Sequence, residues 1–276
     1  MIDFSSLSGL ATSAILLFII LVLLYLLFAC LLHWMFYIRK PSKFETRKIY
    51  SRDYSGKQLR KELKWSLSSS LIFSLSGSLL GYLWQEGYTM IYLDVDDMGW
   101  FYLPISLVFI LVLHETYYYW IHRWLHQPGL FRRVHKVHHE SQVTSPWTTF
   151  SFHPLEAFLQ AVFLPLVLMI VPVHPVMLVI LLLIMIISGF INHLGYEIFP
   201  EKFNKHFAGK WLNSATHHAR HHRQNQFNFG LYFTFWDKWK RTEFPAKLRV
   251  VRKNTVVAVE KDNRAKLFIV KPRAVK

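Results

Sequence analysis

A chain of 276 residues has room for one or two domains, and 53% of this one is hydrophobic and 17% aromatic. That composition excludes an ordinary soluble globule, and a single cysteine, Cys30, excludes both an intrachain disulfide and a cysteine-rich metal knuckle. A formal net charge of +15 suits a nucleic acid or an anionic membrane surface; the apolar runs decide for the membrane, and no nucleic-acid partner is expected.

Residues 4–38 carry no Asp, Glu, Lys or Arg, which exceeds the about 20 apolar residues that cross a bilayer. The flank "MIDFSSLSG" has no basic residue, and no small-residue cleavage site follows, so a retained transmembrane helix is expected. Residues 39–64 then hold ten Lys/Arg against three acids. The Ser-rich run 66–84 is weaker, able to span or to lie in the interface. Residues 85–99 carry four acids and no Lys/Arg. The third run, 100–120, leads into the first histidines. Runs 154–173 and 175–195 flank "VPVHP", which predicts a helical hairpin. The remainder is basic and mostly polar, and "TVVAVEKDNRAKLFIV" is expected to form a small β-hairpin.

All 32 Lys/Arg fall in 39–64, 122–153 or 196–276, which the positive-inside rule places in the cytoplasm. Five crossings satisfy that placement, with 85–99 outside. The expected fold is an all-α, multi-pass integral membrane protein. About four to five transmembrane or interfacial helices would sit under a cytoplasmic, histidine-rich helical metal cap. One membrane-embedded domain is expected over 1–240, with a basic tail over 241–276.

Fourteen of the 15 histidines lie between 114 and 222. His122 and His126 are one helical turn apart and share a face. "HKVHH" places His135 and His139 on one face with His138 offset, and "HARHH" repeats the spacing with His218, His221 and His222. His193 ends the fifth run. Nine imidazoles are too many for one ion, whereas two ions with four or five nitrogens each would use them. A basic interfacial surface would also gather histidines near Lys/Arg, but it does not account for two copies of H-x-x-H-H on one side of the membrane. His33, His174 and His206 read as structural; His114, His153 and His217 are outer groups or spare ligands. Imidazole suits zinc, iron, copper and nickel, and nine ligands exceed the four of a structural zinc site. Candidates to hold the second ring nitrogens are Glu115, Glu140, Glu156, Glu197 and Asp237. The aromatics Tyr117, Tyr118, Tyr119, Trp120, Trp124 and Trp147 suit either an interfacial belt or a substrate lining.

The stretches "HETYYYWIHRWLH", "HKVHHES", "FSFHPLEAF", "INHLGYEIFP", "THHARHH" and "FGLYFTFWDKW" resemble the membrane fatty acid hydroxylase/sterol desaturase superfamily. "NHLGYEIFP" leans toward the sterol C-5 desaturase branch. One departure is Glu115, where many relatives carry Asp. The resemblance implies a non-haem di-iron centre on His122, His126, His135, His138, His139, His193, His218, His221 and His222. It implies an oxidoreductase that uses O2, and two electrons from an external donor such as a ferredoxin or a small haem protein with its reductase. The substrate would be a sterol-like or fatty-acyl lipid, hydroxylated or desaturated at an unactivated C–H. Two alternatives lack oxygen chemistry. A membrane zinc hydrolase is disfavoured because H-E-x-x-H is absent, Tyr118 standing where its second His belongs. A metal-storage or transport protein is disfavoured by the near absence of ionisable residues in the outer halves of the runs.

Overall fold

A computed structural model describes residues 2–40, 42–244, 256–261 and 264–269. Among the described residues, three helices are long and apolar enough to cross a membrane: Leu7–Ile38, Gly56–Gln85 and Pro175–His193. The first comprises α1 (Leu7–His33), capped by the Ser6 hydroxyl on the Gly9 N–H, and a wider turn over Trp34–Ile38. The Ser-rich run lies within one continuous helix, α2 (Gly56–Gln85). Its serines explain the weak hydropathy. Ser66, Ser70, Ser74 and Ser78 recur every fourth residue and are buried, forming a small-residue stripe that lets neighbouring helices approach. The Ser13 and Ser78 hydroxyls meet at 2.6 Å across the α1–α2 contact.

The helix α3 (Tyr102–Leu125) has the length of a span, but its second half carries the buried polar residues His114, Glu115 and His122. The run 154–173, expected as one span, is instead two short helices, α5 (Pro154–Ala161) and α6 (Phe163–Leu168). Pro165 explains the break. It has no N–H to offer the carbonyl of Ala161, which accepts the Ser76 hydroxyl at 3.0 Å instead. Between α3 and α5 lies the one-turn helix α4 (Lys136–His139), entered through a wide turn over Phe131–His135. After α7 (Pro175–His193) come α8 (Ala215–Arg223) and α9 (Phe235–Trp239). In the expected hairpin region, β1 (Val256–Lys261) pairs antiparallel with β2 (Arg264–Ile269), Val256 opposite Ile269.

The segments assigned to each side by charge do meet. At one end, the Met90 N–H donates to Leu168 O and His174 Nε2 donates to Leu93 O. At the other, Lys61 pairs with Glu140, Arg223 donates to Ile49 O, and Ile49 N donates to Gly195 O. His174 caps α7, His33 bonds the Tyr54 hydroxyl and His206 caps a local turn, so each expected structural histidine has a local partner.

Gly195 lies just past α7, where the chain turns toward Tyr50. Its φ is +78°, and a Cβ there would collide with the Tyr37 hydroxyl and stand 2.8 Å from Thr144 O. Gly195→Ala should therefore lower stability by about 2 kcal/mol or more, measured by thermal unfolding in detergent. An unchanged melting temperature would contradict this account of the turn.

Candidate metal centre

The nine imidazoles arrive from four places. The last turn of α3 supplies His122 and its C-cap supplies His126; the wide turn and α4 supply His135, His138 and His139. The last residue of α7 is His193, and α8 supplies His218, His221 and His222. They form two groups. His122, His126, His135, His139 and His221 make one, and His138, His193, His218 and His222 the other; within each, ligand atoms all lie within 4.8 Å of one another. The helical period explains the sorting. Positions four apart, His135/His139 and His218/His222, share a group, while the intervening His138 and His221 point to the opposite one.

Protonation is fixed by the outer nitrogens. A carbonyl oxygen only accepts, so an Nδ1 bonded to one must carry the proton. His122 Nδ1 donates to Phe229 O at 2.8 Å, and His221 Nδ1 to Phe227 O at 2.7 Å. His138 Nδ1 donates to Ser151 O at 3.1 Å, and His193 Nδ1 to Gly189 O at 2.8 Å. His135 Nδ1 faces Glu156 Oε1 at 2.8 Å, between two buried side chains. Each of the four carbonyl-bound rings therefore presents a bare Nε2 lone pair inward.

Ring nitrogens face each other inside both groups. His122 and His135 Nε2 stand 3.1 Å apart, and His138 and His193 Nε2 stand 3.2 Å apart. Both rings of the second contact are bound to carbonyls, so it has no proton to share and is repulsive without a cation between the nitrogens. Two nitrogens each about 2.1 Å from one ion at right angles sit roughly 3.0 Å apart, the spacing seen here. Other contacts at this spacing are His139–His221 at 3.1 Å and His193–His218 at 2.9 Å. The donor set of both groups thus fits a bound metal ion.

The environment keeps the rings neutral, the form that binds metal. Burial, then the charge of neighbouring imidazoles, holds His135, His139 and His218 well below the ordinary histidine range. The same causes act on His138, His221 and His222. Among the described residues, the Nδ1 atoms of His126, His139, His218 and His222 are buried without a partner.

Only one of the five candidate carboxylates, Glu156, touches a ring of either group. Glu115 and Asp237 act one step further out. Glu115 accepts the N–H groups of Leu231 (3.1 Å) and Tyr232 (2.7 Å), and Asp237 those of Phe229 and Gly230 (both 2.9 Å). Together they fix the loop whose Phe229 carbonyl orients His122. Gly230 is required there, since a Cβ would stand 2.8 Å from Glu115 Oε1. Burial raises the Asp237 carboxyl to about 6 against those two hydrogen bonds. Glu197 accepts the Thr216 N–H in the first turn of α8, and Glu140 pairs with Lys61 instead of a histidine.

The three intermediate histidines join neither group. His114 Nδ1 bonds the Tyr232 hydroxyl at 2.7 Å, His153 caps α5 on Leu155 N, and His217 is half-buried on α8, its Nε2 buried and unpartnered among the described residues. The aromatic residues divide as well. Trp120 and Trp124 are exposed as a belt would be, Trp147 and Tyr119 are core, and Tyr117 and Tyr118 line a crevice at His122. Sequence reasoning missed the carbonyl partners, which every residue type carries alike, and Gln160 in that crevice.

The fatty acid hydroxylase family model matches residues 107–242, the segment that holds all nine histidines. The chain is 30% identical over 233 residues to a Delta(7)-sterol 5(6)-desaturase of Aspergillus fumigatus, covering 78% of this chain and 70% of that protein. It is 28% identical over 197 residues to a Delta(7)-sterol 5(6)-desaturase of Gibberella zeae, covering 71% and 59%. It is 30% identical over 183 residues to the lathosterol oxidase of Homo sapiens, covering 66% and 60%. The match thus spans about three fifths of the length of two of these relatives. No solved structure matches the chain.

Proposed function

The chain belongs to the fatty acid hydroxylase family, in its sterol C-5 desaturase-like branch, and from that premise we propose that it is a di-iron oxidoreductase that desaturates or hydroxylates a sterol-like lipid with O2. The observation that carries the proposal is the gathering of nine imidazoles into two groups whose ligand atoms all lie within 4.8 Å of one another, with the lone pairs of His138 and His193 face to face. One ion per group gives two irons per chain. Bound there, iron supplies activation of O2 and removal of hydrogen from an unactivated C–H.

The protein's own residues do the rest. Phe229, Ser151, Gly189 and Phe227 carbonyls hold the rings in the tautomer that leaves Nε2 free. Glu156, its carboxyl pushed up by burial, holds His135 Nδ1 from behind at 2.8 Å and orients that ring. The buried setting keeps bulk water from the reacting carbon. Desaturation removes two hydrogens from adjacent carbons, and with O2, two electrons and two protons it yields two waters. The chain has no Gly-rich nucleotide fingerprint, so the electrons come from a separate donor, a ferredoxin or a small haem protein with its reductase. We place residues 1–240 in one membrane-embedded catalytic domain, with 241–276 as a basic tail.

The test is conversion of lathosterol, the compound named for one relative, by membranes carrying the protein with an electron-donor system, under oxygen and under argon. Oxygen-dependent formation of a dehydrogenated or hydroxylated product supports the proposal; unaltered lathosterol and unaltered membrane lipids under oxygen would refute it. The metal centre is assigned to the cytoplasmic face, because the basic segments surround it. Gln142 is exposed at that face, and a Gln142→Cys variant in a Cys30→Ser background should react with an impermeant maleimide only after the cytoplasmic side is opened. Labelling of intact cells would overturn the assignment.

A further inference from the structure

We propose that Glu62 is a positioning residue for the four-histidine group: it anchors the turn whose Ser151 carbonyl holds His138. The inference rests on the metal reading above and adds a residue outside every histidine-bearing segment. Glu62 is the only acidic residue of α2 and is 1% exposed, while Lys57, Arg60, Lys61 and Lys64 around it are exposed. Among the described residues it forms no ion pair. A buried carboxyl without a cation is costly to retain, and its hydrogen bonds show what it does there.

Two side chains one turn apart on α2 grip the loop that follows α4. Glu62 Oε1 accepts the Thr148 hydroxyl at 2.9 Å and the Gln58 amide at 2.8 Å, and Gln58 Nε2 donates also to Val143 O at 2.8 Å. The Thr148 oxygen accepts the Ser145 N–H at 3.1 Å, so that hydroxyl is committed on both sides. Thr148 lies in the single turn Pro146–Phe150. Its carbonyl accepts the Ser151 N–H at 3.0 Å, and Ser151 O accepts His138 Nδ1 at 3.1 Å. Further along α2, the Ser69 hydroxyl donates to Phe152 O at 3.3 Å, and the Phe152 ring packs on His138 with centroids 4.9 Å apart. Three side chains of one helix thus set the segment that fixes the direction of the His138 ring.

Packing alone does not hold this segment. A cavity of ≈ 300 Å³ adjoins it, with Gln58, Glu62 and Trp65 of α2 and Val137, Ser141 and Ser151 among its walls. Without the Glu62 hydrogen bonds, Ser151 has room to shift. The arrangement parallels the five-histidine group, where Glu115 and Asp237 fix the loop whose Phe229 carbonyl orients His122. Each group therefore has a buried carboxyl that acts on a ring through a backbone carbonyl.

The experiment compares Glu62→Leu, Glu62→Gln and Thr148→Val with the wild type. Each is loaded with 57Fe under argon and read by ferrous titration and Mössbauer spectrum, and His138→Ala identifies the doublet of the four-histidine group. Ferrous affinity of that group should fall about tenfold or more in Glu62→Leu and Thr148→Val, and its doublet should shift, while the other doublet stays as in the wild type. Oε1 takes both hydrogen bonds, so Glu62→Gln keeps the acceptor and should restore the wild-type spectrum. Thr148→Val removes only the hydroxyl's bonds and carries the test should Glu62→Leu fail to fold. A merely structural carboxyl would weaken both sites alike or lower only the melting temperature. Either of those results, or two unchanged doublets, would overturn the positioning role. A wild type without iron in the four-histidine group would overturn it together with the metal reading, and the wild-type spectrum alone distinguishes that case.

Discussion

His138→Ala and His221→Ala are each expected to abolish oxygen-dependent turnover and to lower bound iron, the first by weakening the four-histidine group and the second by weakening the five-histidine group. Substitutions of groups that merely support ligands typically cost about 10–100-fold in affinity or activity, so loss of a ligand should exceed that. The two variants also differ in a way the geometry sets. His138 Nε2 stands 3.2 Å from His193 Nε2, whereas His221 Nε2 contacts both His126 (3.2 Å) and His139 (3.1 Å). His221→Ala leaves four imidazoles in its group and His138→Ala leaves three, so the second should retain less metal. His33→Ala and His174→Ala, outside both groups, should keep both irons. Iron content and product formation for each variant in the same lipid check the prediction, and full activity in both box variants would refute it.

Glu115→Ala should be the most damaging change outside the histidines. Glu115 is fully buried and accepts N–H groups from Leu231, Tyr232 and Phe233. Removing the carboxylate orphans the buried Tyr232 donor and the half-buried Leu231 and Phe233 donors, for a loss of about 3 kcal/mol. The loop they belong to carries Phe229, whose carbonyl orients His122, so metal affinity falls along with stability. Glu115→Gln keeps one acceptor oxygen but turns an NH2 toward backbone donors, and should lie between wild type and Ala. Thermal unfolding with and without added ferrous iron reads both effects. A melting temperature unchanged in Glu115→Ala would show that the loop is held by something else.

The metal groups were legible because helical geometry is carried by spacing alone. H-x-x-x-H places two rings on one face, and the extra histidine of each H-x-x-H-H falls on another, which is how His138 and His221 separate from their neighbours. His193 has no such spacing and came from its place at the end of an apolar run and from the resemblance. Of the five carboxylates expected to hold ring nitrogens, only Glu156 does. Which of them reaches a ring depends on how α5 docks against the wide turn at 131–135, a tertiary fact. The break in run 154–173 was hidden for the same reason: Pro165 forbids a regular helix, and what donates to the freed Ala161 carbonyl is a serine on a different helix. Hydropathy underrated α2 because the buried Ser69, Ser70, Ser74 and Ser78 satisfy their hydroxyls on carbonyls, as Ser70 does on Ser66 and Ser78 on Leu10.

The central claim is that two histidine groups hold two irons. Its most direct test is the iron content and Mössbauer spectrum of protein expressed with 57Fe and purified under argon. The account predicts two ferrous ions per chain in two inequivalent sites, since one group has five imidazoles with a carboxylate behind His135 and the other has four. A single iron per chain, or none with both groups demonstrably folded, would contradict it.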